Sequence, residues 1–129
     1  MKILPGGTLR LADAGSGAGF PGIPLKIMRP ELDITLIESS RKKTAFLRHI
    51  IRLLQLGKTE VLEERIEKLG QDYDKKFDVL VSRATFSIKE FIDVACPYVK
   101  TGGMLLLSKG PGLSEELKEL KTSKYAHAE

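Results

Sequence analysis

Asp13-Ala14-Gly15-Ser16-Gly17-Ala18-Gly19-Phe20-Pro21-Gly22 is a glycine-rich turn, and what stands on either side of it decides the fold. Before it, residues 9–13 form a short apolar run that reads as a strand. After it, residues 22–28 read as a helix, stopped at Arg29-Pro30 because a proline disfavours helical geometry in the residue before it. Residues 34–38 (Ile-Thr-Leu-Ile-Glu) are apolar and β-branched, the mark of a buried strand. Strand, turn, helix and strand in this order form a parallel crossover unit.

The same alternation continues to the end of the chain. Phe46, Leu47, Ile50, Ile51 and Leu54 recur at helical spacing within residues 42–55, with Gly57 as a stop, and Phe46 is expected in the core. Residues 60–62 and 78–82 are the third and fourth strands, and 87–95 is a helix ended by Pro97. Gly102-Gly103 is expected to turn into a fifth strand at 104–108, and Ser114 to cap a last helix. Strands alternating with helices imply an open parallel sheet covered on both faces. Ligands of such sheets bind beyond the carboxyl ends of the strands, where the strand order reverses.

Composition sets the outer limits. The 129 residues, 42% hydrophobic and 29% charged, suit one globular domain with a core of its own. A single cysteine, Cys96, excludes an intramolecular disulfide. No apolar run approaches the ~20 residues of a membrane-spanning helix. The N-terminal Met-Lys-Ile-Leu-Pro-Gly-Gly lacks the apolar core of a secretion signal, so the expected location is the cytosol. The net charge of +4 lies wholly within residues 1–65, and residues 41–52 hold five basic side chains and no acid. Nucleic acid is therefore a candidate partner.

The turn itself narrows the ligand. Gly15, Gly17 and Gly19 let the backbone bend tightly and approach a ligand without Cβ clashes. A dinucleotide fingerprint needs a glycine three residues after Gly17, where this chain has Phe20. Asp13 would repel a phosphate and attract an amine. S-adenosylmethionine, with its ammonium, sulfonium and ribose, fits both features. Glu38, 23 residues after Gly15 at the end of the second strand, stands where an acid accepts hydrogen bonds from ribose hydroxyls. On this view Asp13→Ala loses cofactor affinity while the protein stays folded. The alternatives are a tight structural loop for the glycines and a solvated strand end for Glu38.

These stretches, with Gly22-Ile-Pro-Leu25, Leu36-Ile-Glu-Ser-Ser-Arg-Lys-Lys-Thr-Ala-Phe-Leu47, Glu64-Arg-Ile-Glu67 and Val81-Ser-Arg-Ala84, resemble the small-subunit ribosomal RNA methyltransferase G family, also called glucose-inhibited division protein B. The resemblance runs over residues 10–110. It implies a Rossmann-like, three-layer α/β methyltransferase fold with a mostly parallel five-stranded sheet in the order 3-2-1-4-5. It also implies a cytoplasmic, bacterial enzyme that moves a methyl group from S-adenosylmethionine to N7 of a guanine in 16S ribosomal RNA, free or within the 30S subunit. By the same resemblance, Gly15 and Phe20 line the methionine side of the cofactor and Glu38 meets the ribose. Ile66 and Glu67 lie beside the adenine, Arg83 reaches the site, and Asp13, Gly17 and Gly19 belong to the turn. The family's N-terminal helical region and last two strands are missing, so residues 1–129 are expected to be one cofactor-binding domain of a longer protein. A monomer without a metal is expected.

The chemistry asks little of the protein beyond alignment. Guanine N7 carries a free lone pair at neutral pH, and the sulfonium is already an activated leaving group, so positioning can supply catalysis without a general base. No catalytic base is assigned: His49 lies among apolar residues, His127 in the tail, and Cys96 is expected to be a packed structural thiol. Arg83 is the candidate orienting residue, the alternative being an ion pair with Asp78 or Glu90. Arg41, Arg48 and Arg52, spaced by 7 and 4, fall on one face of the second helix as candidate RNA-phosphate contacts, opposite Phe46, Ile50 and Leu54. The alternative is a solvated face. Two other functions stay open at this stage: a non-catalytic RNA-binding or ribosome-assembly module that keeps the cofactor turn, and a nucleotide-dependent oxidoreductase, which Phe20 and Asp13 disfavour.

Overall fold

The computed structural model describes residues 8–15, 22–83 and 87–108. Gly17, Gly19, Phe20, Ala84, His127 and the helix expected after Ser114 lie outside the described residues. Among the described residues five strands, β1 (Arg10–Ala14), β2 (Asp33–Glu38), β3 (Thr59–Glu63), β4 (Phe77–Arg83) and β5 (Val99–Ser108), form one sheet in the order β3-β2-β1-β4-β5. Every pairing is parallel. The described helices are α1 (Gly22–Met28), α2 (Arg41–Leu53) and α3 (Ile88–Ala95), with 3-10 turns at Ile66–Lys68, Gln71–Tyr73 and Cys96–Tyr98.

Period-two alternation explains the layers. Leu11, Ile34, Leu36, Val79 and Val81 pack with Ile23 of α1 and Leu47 of α2. Their neighbours along the strands, Ala12, Ala14, Ile37 and Leu80, pack on the other face with Phe91 and Ile92 of α3. Both faces are covered, so the central strands are apolar on both sides, as parallel sheets require. Phe77 and Phe91 anchor the second layer at 1% and 0% exposure. Truncating either to alanine would cost about 3–5 kcal/mol. The helix starts follow sequence signals: Ser40 Oγ accepts from Lys43 N–H and Ser87 Oγ from Glu90 N–H.

Two expectations are corrected. Phe46 is not core; it is 48% exposed, with Leu53 and Leu54 also exposed. Only a narrow stripe of α2 faces the sheet, with Thr44 and Leu47 buried and Ile50 and Ile51 half-buried, and Phe46 lies about 40° beyond its Ile50 edge. Arg41, Arg48 and Arg52 are exposed beside that stripe, and an Arg48 guanidinium N–H donates to the Val61 carbonyl at 3.4 Å. The side they were to oppose is thus itself largely in solvent. Secondly, Gly102-Gly103 lies inside β5 rather than before it. Phe77 pairs with Val99 and Val79 with Met104, so two steps along β4 match five along β5, a bulge. Gly102 has φ +82°, and a Cβ on Gly103 would sit 2.5 Å from Val99 Cγ1 and 2.7 Å from the Asp78 carbonyl oxygen. Only glycine permits that approach.

The α1–β2 connection is held by a buried lysine. Lys26 is 3% exposed, and its ammonium donates to the Pro30 carbonyl at 2.7 Å and to the Leu32 carbonyl. Burial lowers its pKa below the ordinary lysine value of 10.5, and the nearby Asp33 partly opposes this. Lys26→Met is expected to lose about 1–3 kcal/mol at pH 7, because two carbonyls lose their donor. A base with a depressed folded pKa releases its proton from the folded state first. The parent should therefore gain stability relative to Lys26→Met as pH rises through that depressed value towards 10.5. Urea titrations of both proteins at neutral and alkaline pH check this; parallel pH profiles would refute it.

Candidate functional site

The carboxyl ends of β1, β2 and β3 meet at a cavity of about 230 Å³. Its lining is Gly15, Ile37, Glu38, Ser39, Glu64, Arg65, Ile66 and Glu67. Gly15 leaves β1 with φ +76°, a backbone region that costs other residues strain, and its N–H donates to the Ile37 carbonyl at 2.7 Å. Glu38 ends β2 at 7% exposure, and its Oε2 accepts from Ser40 N–H at 2.7 Å. That bond turns the carboxylate into the β2–α2 corner. The Glu64 N–H donates to the Glu38 carbonyl at 3.1 Å, which brings the segment after β3 over the cavity. The 3-10 turn that follows places Ile66, 4% exposed, in the wall and Glu67 beside it.

Four residues expected from the sequence, Gly15, Glu38, Ile66 and Glu67, thus come together. Asp13 is fully buried and does not line the cavity. Its Oδ2 accepts from Gly22 N–H at 2.8 Å, capping α1. A Cβ on Gly22 would sit 2.5 Å from Leu36 Cδ2 and 2.9 Å from that same Oδ2, so the carboxylate and the glycine fit as a pair. Arg83 is exposed at the end of β4, outside the lining, and pairs in register with Ser108. Among the described residues it forms no ion pair; Asp78 instead meets Lys100 at 3.5 Å and accepts from Arg10 N–H at 2.9 Å. His49 and Cys96 are exposed and outside the cavity lining, so Cys96 is not the packed thiol that was expected.

Ile37, Ser39, Glu64 and Arg65 line the cavity without having been expected there. Glu64 was open to the rule that sites follow strand ends, since it directly succeeds β3. Among the described residues the lining carries three carboxylates, Glu38, Glu64 and Glu67, against one guanidinium, Arg65. Such a site repels phosphates and favours a ligand with positive charge and hydroxyl donors. Among the described residues no helix is long and apolar enough to cross a membrane.

A family model, GidB, rRNA small subunit methyltransferase G, matches residues 1–129. A protein named ribosomal RNA small subunit methyltransferase G from Mycoplasma capricolum is 43% identical over 112 residues, covering 87% of this chain and 48% of its own length. One of the same name from Thermotoga neapolitana is 40% identical over 111 residues, covering 86% and 48%. The chain spans about half the length of these curated relatives. Among solved structures, TYW2 from P. horikoshii in complex with MeSAdo superposes with a TM-score of 0.74 at 16% identity, covering 89% of this chain and 46% of that one. A predicted O-methyltransferase from Agrobacterium tumefaciens gives 0.72 at 23% identity, covering 88% and 59%. The fold is the Rossmann-like methyltransferase fold.

Proposed function

Because the chain belongs to the rRNA small subunit methyltransferase G family, we propose that its cavity binds S-adenosylmethionine and serves methyl transfer to N7 of a guanine in 16S ribosomal RNA. The observation that carries this reading is the acid-lined cavity against the Gly15 bend. Three carboxylates against one guanidinium fit a ligand with sulfonium and ammonium charges and no phosphate. Residues 1–129 serve as one cofactor-binding domain in this account. When bound, the donor supplies a methyl group on a positively charged sulfur, already activated for displacement.

The residues of the chain then have separate tasks. The Glu38 carboxylate accepts hydrogen bonds from the ribose hydroxyls. Ile66 gives the adenine an apolar wall, and Glu67 sits at its edge. Guanine N7 presents its lone pair directly, so no side chain has to remove a proton. Once methylated at N7, the base would carry a positive charge. An arginine against that base would oppose the transfer, so Arg83 acts on the rim, orienting the RNA through a phosphate or the donor through its polar end.

Calorimetry with S-adenosylhomocysteine and with NADH tests the donor assignment. Binding of the first alone is expected; binding of NADH alone would reject the reading. Methyl transfer to 30S subunits, measured beside a full-length relative, separates an enzyme from a non-catalytic RNA-binding module. The exposed Arg41, Arg48 and Arg52 are the proposed phosphate contacts of α2. Reversing Arg48 and Arg52 to glutamate should flatten the slope of log affinity against log salt by about 1.5, given ~0.7–0.9 per phosphate contact. An unchanged slope would remove α2 from the interface.

A further inference from the structure

Ser82 is 2% exposed in a strand whose preceding residues are Val79, Leu80 and Val81. A hydroxyl at such a place has a desolvation cost that an alanine would avoid, so its partner matters. Ser82 Oγ donates to the Ala14 carbonyl at 2.8 Å, across the seam where Ala14 and Ser82 are the last paired residues of β1 and β4. The next residue in β1's path is Gly15, which lines the cavity with φ +76° and donates its N–H to the Ile37 carbonyl at 2.7 Å.

The Ala14 carbonyl and the Gly15 N–H belong to one planar peptide unit. That plane is therefore gripped at both edges, by a side chain of β4 on one side and by the backbone of β2 on the other. Glycine tolerates both signs of φ, so the backbone of Gly15 by itself selects no single orientation of this peptide. We propose that Ser82 is a positioning residue for the cavity: its hydroxyl fixes the tilt of the Ala14–Gly15 peptide and so presets the wall against which the ligand lies. The ligand part of this inference rests on the donor reading above; the peptide part does not.

The test compares the parent chain with Ser82→Ala and Ser82→Cys, the second a somewhat larger side chain of the same branching with a weaker donor. Amide hydrogen exchange is read at Gly15 and, as a reference, at Ile34, whose N–H donates to the Lys58 carbonyl at the far end of β2. In Ser82→Ala, exchange at Gly15 is expected to rise about tenfold more than at Ile34, with Ser82→Cys between, as loss of one hydrogen bond predicts. S-adenosylhomocysteine affinity is expected to fall in the same order, by about tenfold in Ser82→Ala. Equal changes at Gly15 and Ile34 would overturn the proposal, as would parent-level affinity in Ser82→Ala. A parent chain that fails to bind the probe refutes the donor reading, and the exchange comparison still decides the role of Ser82.

Discussion

Glu38→Ala is expected to weaken S-adenosylhomocysteine binding by about 100-fold, the factor that loss of charge-assisted hydrogen bonds to two hydroxyls would bring. Two effects add. The cavity loses a carboxylate from its wall, and the Ser40 N–H loses its 2.7 Å acceptor, so the β2–α2 corner loosens. Glu38→Gln separates them, since an amide oxygen can still accept from Ser40 while the charge is gone. A loss of about tenfold is expected there, with a melting temperature close to the parent's. Calorimetry beside thermal melts decides the matter. Parent-level affinity in Glu38→Ala would remove the ribose role.

Asp13→Ala is expected to lose about 2–3 kcal/mol of stability, as a buried charged acceptor is taken from a helix start. From sequence, the carboxylate was expected to serve the ligand and leave folding untouched. The structure gives it a fold role: it is fully buried and holds Gly22 N–H at the head of α1. Since α1 begins at the end of the glycine turn, a loosened α1 should weaken cofactor affinity as well. Asp13→Asn keeps an acceptor and is expected to recover most of the stability. Urea unfolding of both variants checks this; Asp13→Ala as stable as the parent would show the cap to be idle. If Asp13→Asn folds like the parent and yet binds poorly, the charge itself acts on the ligand.

The fold was legible because both-sided burial leaves apolar runs with short punctuation between them. The helix at Gly22–Met28 has the bounds that the Gly-rich turn and Arg29-Pro30 imply, and the strand order is the one expected. Phe46 misled because helical spacing identifies a face without showing how wide a stripe the sheet covers. Gly102-Gly103 misled because a glycine pair marks a turn and a bulge alike. Within the site, Gly15 and Glu38 were readable from strand ends, and Ile66 and Glu67 through the family resemblance. The roles of Ser82 and Lys26 were not readable, since each bonds to a backbone carbonyl whose nearness only the tertiary fold creates.

The clasp between Ser82 and Ala14 joins residues 68 positions apart. A ribosome therefore releases more than half of this chain before the cradle around Gly15 can close. Until β4 emerges, β1 lacks its neighbour on one side and lies open to wrong partners. Closing so distant a seam is entropically slow, and assembly of the ligand site should be among the last steps of folding rather than among the first.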